Sequence, residues 1–144
     1  MSKSQFPSKA AVEARRARYT KGARVELVRM NDPYREMPSG LQGTVDFVDD
    51  TGTVFVKWDD GSSLGAVYGE DEIRLLSKAE LVKWQCRQVA KTGRTNMFDS
   101  KAAFEIALEM GFDELANFIF MNTKAYSKLI LTGELSDDNL KEWP

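Results

Sequence analysis

The sequence has no histidine and only one cysteine, Cys86, among its 144 residues. A Ser–His–Asp or Cys–His arrangement, a His-ligated zinc site and a thiolate-held cluster are therefore excluded within a single chain. General acid–base chemistry would fall to carboxylates, lysine or tyrosine, and no nucleophile–base constellation is visible. We therefore expect a protein that is not an enzyme and that holds no metal or other cofactor.

Long apolar runs are also absent. No run approaches the ~20 apolar residues of a membrane helix, and no apolar segment follows the polar residues 1–5, so we expect neither a membrane span nor a secretory signal. The lone Cys86 cannot form an intramolecular disulfide, which favours a cytoplasmic location. Hydrophobic and charged residues make up 42% and 29% of the chain, as in ordinary globular proteins.

The net charge of −2 conceals an uneven distribution. Residues 1–30 carry eight Lys and Arg against two Glu, whereas residues 31–76 carry three basic against ten acidic residues. A basic segment attached to an acidic domain indicates self-association through opposite charge, or a partner of mixed charge.

Residues 40–68 contain three strand-like runs separated by two turn signals, residues 49–52 and 59–61. Asp-Gly and similar pairs favour tight hairpins, because the turn needs a positive φ that glycine adopts without steric cost. The pattern predicts a three-stranded antiparallel meander with Trp58 in its core. With strand-like residues 24–30 before it and 73–76 after it, residues 21–76 are typical of a small five-stranded SH3-like β-barrel.

Residues 1–20 precede the barrel and predict a basic helix that begins after the N-cap Ser8. Two interpretations remain open: a solvated helix that packs lightly on the barrel, or a basic arm that binds phosphates or an acidic protein. The predicted packing stripe comprises Ala10, Ala14 and Ala17, extended by Val12 and Tyr19. The candidate nucleic-acid-binding residues are Arg15, Arg16, Arg18 and Lys21.

A helical domain is predicted for residues 77–133. Ser77 and Glu80 form a capping box that opens a helix over residues 79–91. Three short helices follow at 101–110, 114–121 and 124–131, with Thr123 as the expected N-cap of the last. Met97 and Phe98 are expected to form a plug under the loop before the second helix rather than an anchor for a partner. Residues 134–144 are predicted to form a polar C-terminal tail. The fold class is therefore α+β, and because no low-complexity linker separates the domains, we expect them to pack together.

Two stretches resemble known families. Residues 6–76, with YTKGARVELVRMNDP and GLQGTVDFVDDTGTVFVKWDDGSSL, resemble a family of uncharacterised small domains encoded mainly by phages and prophages of Gram-positive bacteria. Within them, GLQGTVDFV also resembles the KOW-type arrangement of ribosomal and transcription-factor barrels. Residues 79–133, with GRTNMFD, resemble a second uncharacterised phage-associated helical domain that carries an Asn-Met-Phe motif. The resemblance implies no catalytic residues.

The resemblance implies a non-catalytic, phage-encoded binding protein that acts on host machinery in the cytoplasm of the bacterial host. We expect an inhibitor of a defence nuclease such as a CRISPR effector, a protein–nucleic acid complex whose cationic channel an acidic surface could occupy. The alternative is a KOW-like module that binds nucleic acid directly. The aspartates of residues 46–60 are better explained as turn residues, whose side chains bond to nearby backbone donors, than as metal ligands, because their spacing does not match a calcium-binding loop. The candidate partner-binding residues are Asp49, Asp50, Asp59, Asp60, Glu70, Asp71, Glu72, Tyr34 and Arg94.

Overall fold

A computed structural model describes residues 7–31, 37–135 and 140. The chain divides into two compact units, Met1–Leu76 and Ser77–Pro144.

The first unit is built from a helix and an antiparallel sheet. Its elements are α1 (Lys9–Arg18), β1 (Arg24–Arg29), β2 (Gln42–Val48), β3 (Val54–Trp58), β4 (Gly65–Ala66) and β5 (Glu72–Leu75). The strand order is β4-β3-β2-β1-β5, so the predicted meander β2-β3-β4 is confirmed. The edges of the sheet are β4 and β5, and no strand pairing closes it within the described residues.

Alternating residues of the strands form the core of this unit. Val25 and Leu27 of β1 and Val54 and Val56 of β3 are almost fully buried, as the two-residue period of a strand requires. Trp58 is only 3% exposed, and its indole N–H donates to the carbonyl of Leu64 at 3.0 Å. The predicted core position of Trp58 is therefore confirmed.

Helix α1 buries only part of the predicted stripe. Its extension is confirmed, because Val12 and Tyr19 are buried, whereas the predicted packing of its three alanines was wrong, because all three are exposed: Ala10, Ala14 and Ala17. The physical reason is reach, because an alanine methyl group is short, whereas Arg15 and Arg16 extend to the carbonyls of Gly52 and Val48, at 2.8 and 3.2 Å.

The second unit contains four helices among its described residues: α2 (Lys78–Lys91), α3 (Ser100–Glu109), α4 (Asp113–Met121) and α5 (Thr123–Thr132). The capping box of Ser77 and Glu80 is present. The predicted cap Thr123 was wrong, because the Asn122 side chain accepts from the Ala125 amide at 3.0 Å while the Thr123 hydroxyl donates to Ile119. None of the helices in the described ranges is long and apolar enough to cross a membrane.

The core of the second unit includes residues from the segment predicted to be a polar tail. Leu140 is 8% exposed and belongs to the buried cluster, and Leu135 packs against that cluster. The central members on the helices are Val82, Val89, Leu115, Phe118 and Tyr126. Trp143 lies outside the described residues.

The start of α4 receives its cap from another helix. Phe112, at the N-cap position, offers no side-chain hydrogen bond. Gln85 of α2 is 4% exposed, and its side-chain oxygen accepts from the amide of Leu115 at 2.9 Å. Its amide nitrogen donates to the Glu114 carboxylate, also at 2.9 Å. A buried glutamine thus satisfies an amide that the helix itself leaves unpartnered.

Replacing Gln85 by leucine should destabilise the protein by about 1–3 kcal/mol, because the buried Leu115 amide loses its acceptor. Urea denaturation followed by circular dichroism measures the change. The matched control is Gln88→Leu, at a half-buried position of the same helix. Equal stability of the two variants would contradict the capping role.

Candidate functional site

The predicted partner-binding aspartate Asp49 lies in the turn between β2 and β3, where it serves the turn itself. One carboxylate oxygen accepts from the Thr51 amide at 2.9 Å, the Thr51 hydroxyl at 2.7 Å and the Thr53 amide at 3.0 Å. Burial raises the pKa of Asp49, but these hydrogen bonds outweigh it, and the pKa lies below its usual value. The turn therefore depends on an ionised Asp49.

The neighbouring Asp50 engages the basic helix. Its carboxylate is fully exposed and lies 2.8 Å from the guanidinium of Arg16. The same guanidinium also donates to the carbonyl of Val48 at 3.2 Å, and its pKa is raised, chiefly by the hydrogen bond to Asp50. The opposite charges of helix and turn therefore meet within one chain.

Arg15 holds the same turn from the side. Its Nε donates to the carbonyl of Gly52 at 2.8 Å. Its guanidinium lies 5.0 Å from the centre of the Tyr68 ring and 5.5 Å from that of Tyr19, within the range of cation–π attraction. Of the four basic candidates, Arg15 and Arg16 bind the turn, and the Arg18 guanidinium lies 5.7 Å from the centre of the Tyr19 ring. Arg18 is exposed, and the side chain of Lys21 is 82% exposed, 3.9 Å from Asp46.

Asp59 belongs to a polar network across the sheet. Both of its carboxylate oxygens accept from Arg24, at 2.9 and 2.6 Å, although the Arg24 side chain is only 3% exposed. Arg24 also donates to Thr44 at 2.9 Å. Such a two-point arginine–carboxylate contact has a fixed geometry. The network continues along the sheet through Gln42, Glu26 and Arg74.

The remaining acidic candidates divide into two kinds. Asp60 accepts from the amide and hydroxyl of Ser62, and Asp71 accepts from the amides of Asn31 and Val67. These two side chains organise loops. Glu70 and Glu72, in contrast, are exposed.

For Met30, Met37 and Tyr34 of the long loop after β1, the sequence leaves two interpretations open: an adaptable apolar tip that suits protein partners, or a loop that folds back onto the barrel. Met37 is buried and Met30 packs against the core of the sheet unit, so these two methionines fold back onto the protein. The candidate Tyr34 lies outside the described residues.

The loop between α2 and α3, residues 92–99, fixes its own shape and is called the display loop below. The side chain of Asn96 accepts from the amide of Phe98 at 2.9 Å, and that of Asp99 caps α3 by accepting from Ala102 at 3.1 Å. The carbonyl of Met97 accepts from the hydroxyl of the buried Tyr126 at 2.6 Å. Burial raises the pKa of Tyr126, so its hydroxyl remains a donor.

Within the display loop, Met97 and Phe98 point in different directions. Met97 packs against the core, as predicted, but Phe98 is 57% exposed, so its predicted role as a plug was wrong. The hydrogen bonds of Asn96 and Asp99 fix a turn in which the core accommodates one of the two apolar side chains. The sequence signal for this outcome is the pair of turn-forming residues that flanks Met97 and Phe98.

Arg94 shares the display loop with Phe98. Its guanidinium lies 2.9 Å from the carboxylate of Glu109, and its side chain is 51% exposed. Arginine and large aromatic side chains are the types that most often anchor protein interfaces. The loop therefore presents two anchor-type side chains on a fixed backbone.

The described residues offer no group of three or more His, Cys, Asp or Glu that could hold a metal ion. Cys86 is buried, and burial raises the pKa of Cys86 to about 11, so the thiol stays protonated at neutral pH.

Replacing Asp49 by asparagine should make stability less sensitive to acid. The folded pKa lies below the unfolded value near 3.8, so the stabilisation by Asp49 is present above that value and is lost as the pH falls through the folded pKa. Asparagine keeps an oxygen acceptor but does not titrate. Urea denaturation of both proteins at about pH 7 and about pH 3 checks this. An equal loss of stability in wild type and variant would contradict the role of the ionised carboxylate.

Comparison with known families divides the chain in the same way as its fold does. Residues 8–76 match a family described as a domain of unknown function (DUF4314), and residues 79–134 match another domain of unknown function (DUF5049). No curated protein matches the chain. The chain therefore contains two adjacent domains of unknown function, one in each compact unit.

Proposed function

We propose that this protein is a non-catalytic binding protein that holds a protein partner through the display loop. The observation that carries the proposal is Phe98, which is 57% exposed on a backbone fixed by Asn96, Asp99 and Tyr126. An exposed aromatic ring on a mobile loop would lose conformational freedom on binding. A ring on a fixed turn avoids much of that cost, which favours affinity.

Arg94 extends the same contact. It is held by Glu109 yet half exposed, so it can meet a carboxylate or a carbonyl of the partner without a large rearrangement. An aromatic ring that fills a pocket beside an arginine that fixes its orientation is a common arrangement at the centre of interfaces.

The acidic residues of the first unit supply a second, electrostatic contribution. Glu70 and Glu72 are exposed, the Asp50 carboxylate is fully exposed, and the Asp59 side chain is 47% exposed. Exposed charges of one sign steer a partner of the opposite sign and raise its association rate. These side chains favour a partner with a cationic surface.

The more specific proposal is that the five-stranded sheet is an SH3-like barrel, that both domains are phage-encoded, and that the target is host machinery in the bacterial cytoplasm. A defence nuclease such as a CRISPR effector would be a suitable target for these carboxylates, because its nucleic-acid channel is cationic. The resemblance of residues 6–76 and 79–133 to phage-associated domains supports the phage origin. The exposed carboxylates support the cationic target.

Phe98→Ala should weaken partner capture by about thirty-fold, the effect of losing an anchor of about 2 kcal/mol. The full-length tagged chain is used to capture proteins from a bacterial lysate, and each bound protein is quantified. The control is Leu131→Ala, which shortens a side chain that is 75% exposed elsewhere in the same unit. A partner retained equally by wild type, Phe98→Ala and Leu131→Ala would contradict the role of the display loop.

A second candidate function is direct binding of single-stranded nucleic acid by the sheet unit. Phe47 and Phe55 stack with ring centres 4.7 Å apart, and Phe47 is 51% exposed. Exposed aromatic rings stack on bases, while Lys21 and Arg18 supply the cations that phosphates need.

If the sheet binds nucleic acid, gel shifts with single-stranded DNA and RNA should weaken as salt rises and should weaken further in Phe47→Ala. Val67→Ala, which shortens another exposed apolar side chain of this unit, is the control and should bind like wild type. Absence of any shift at low salt would exclude this function and leave the protein partner.

A further inference from the structure

Helices α3 and α4 carry exposed apolar side chains beside their core. Phe104 of α3 lies against Phe120 of α4, with ring centres 6.1 Å apart. Phe120 is 73% exposed, Met121 62% and Leu108 50%. We call Phe104, Leu108, Phe120 and Met121 the outer face. Phe104 is half-buried and also packs against the core cluster, whereas the other three side chains do not belong to that cluster.

Two charges of opposite sign accompany the outer face on α3. Lys101 and Glu105 are exposed and stand one helical turn apart. Because residues three and four apart are neighbours on a helix, Lys101 adjoins Phe104, and Glu105 adjoins Leu108. Along α3 the side chains are therefore a cation, an aromatic ring, an anion and an aliphatic group, in the order Lys101, Phe104, Glu105 and Leu108. When two copies of this helix face each other in antiparallel orientation, the cation of one lies opposite the anion of the other.

We propose that the outer face binds the outer face of a second copy of the chain. In this arrangement the α3 helices of the two copies run antiparallel, Lys101 lies within reach of the partner's Glu105, and Phe104, Leu108 and Phe120 are covered. A twofold interface uses the same patch on both copies, and this patch is complementary to itself in charge. The inference is independent of the display loop and of the proposed function.

The size of the face indicates how strong the association is. A ten-residue and a nine-residue helix are about 15 and 13 Å long at 1.5 Å per residue, and packed helices lie about 8–10 Å apart. The paired face thus covers a few hundred Å², less than the roughly 800 Å² per partner of a stable complex. We therefore expect a weak dimer, with dissociation constants of tens of micromolar or above.

Sedimentation of the full chain between about 5 and 500 µM tests the proposal. Wild type should shift from monomer to dimer across this range, and Phe120→Ser should remain monomeric. Leu131→Ser, at a position of α5 that is 75% exposed, is the matched control and should dimerise like wild type. A wild type that stays monomeric throughout, or a Phe120→Ser variant that dimerises like it, would overturn the proposal.

A charge exchange tests the antiparallel arrangement. Lys101→Glu alone and Glu105→Lys alone each place like charges across the interface, so each should weaken the dimer about ten-fold. An equimolar mixture of the two variants should regain wild-type association as a heterodimer, because unlike charges again face each other. Repulsion between positions 101 and 105 within one helix persists in the mixture, so recovery reports a contact between copies. A mixture no stronger than the separate variants would overturn the arrangement.

Discussion

Neutralisation of charge within the chain organises the sheet unit. Arg16 reaches from α1 to Asp50, and Arg24 reaches from β1 to Asp59. These contacts join the basic start of the chain to the two acidic turns of the sheet. The uneven charge of the sequence, which indicated self-association through opposite charge, is therefore partly balanced inside each molecule, although the paired carboxylates of Asp50 and Asp59 stay accessible to solvent.

Local chemistry made much of the fold predictable. The Asp-Gly turn signals gave the meander, and Ser77 with Glu80 gave the start of α2, because each depends on neighbours in sequence. Tertiary contacts decided the rest. Arg15 and Arg16 of α1 donate to the carbonyls of Gly52 and Val48, and Gln85 caps a helix 30 residues away. Neither kind of contact produces a periodic pattern in the sequence from which it could be predicted.

The candidate site, too, was predictable where local sequence decides the structure and not where tertiary contacts decide it. Arg94 was predicted to be exposed from its residue type alone, and it is. Phe98 was predicted to form a plug with Met97, but Asn96, Asp99 and Tyr126 together fix a turn in which only Met97 packs against the core. Asn96 and Asp99 flank Met97 and Phe98 in the sequence, whereas Tyr126 comes from α5, so the position of Phe98 also depends on a contact that the motif does not contain.

The cap that Gln85 provides to α4 also affects the order in which the helical unit assembles. A nine-residue helix is too short to persist in isolation, because nucleation costs more than so few hydrogen bonds return. With its first turn capped from α2, α4 gains full stability only after α2 has docked against it. Hydrogen exchange at the Leu115 amide therefore reports the separation of α2 from the start of α4.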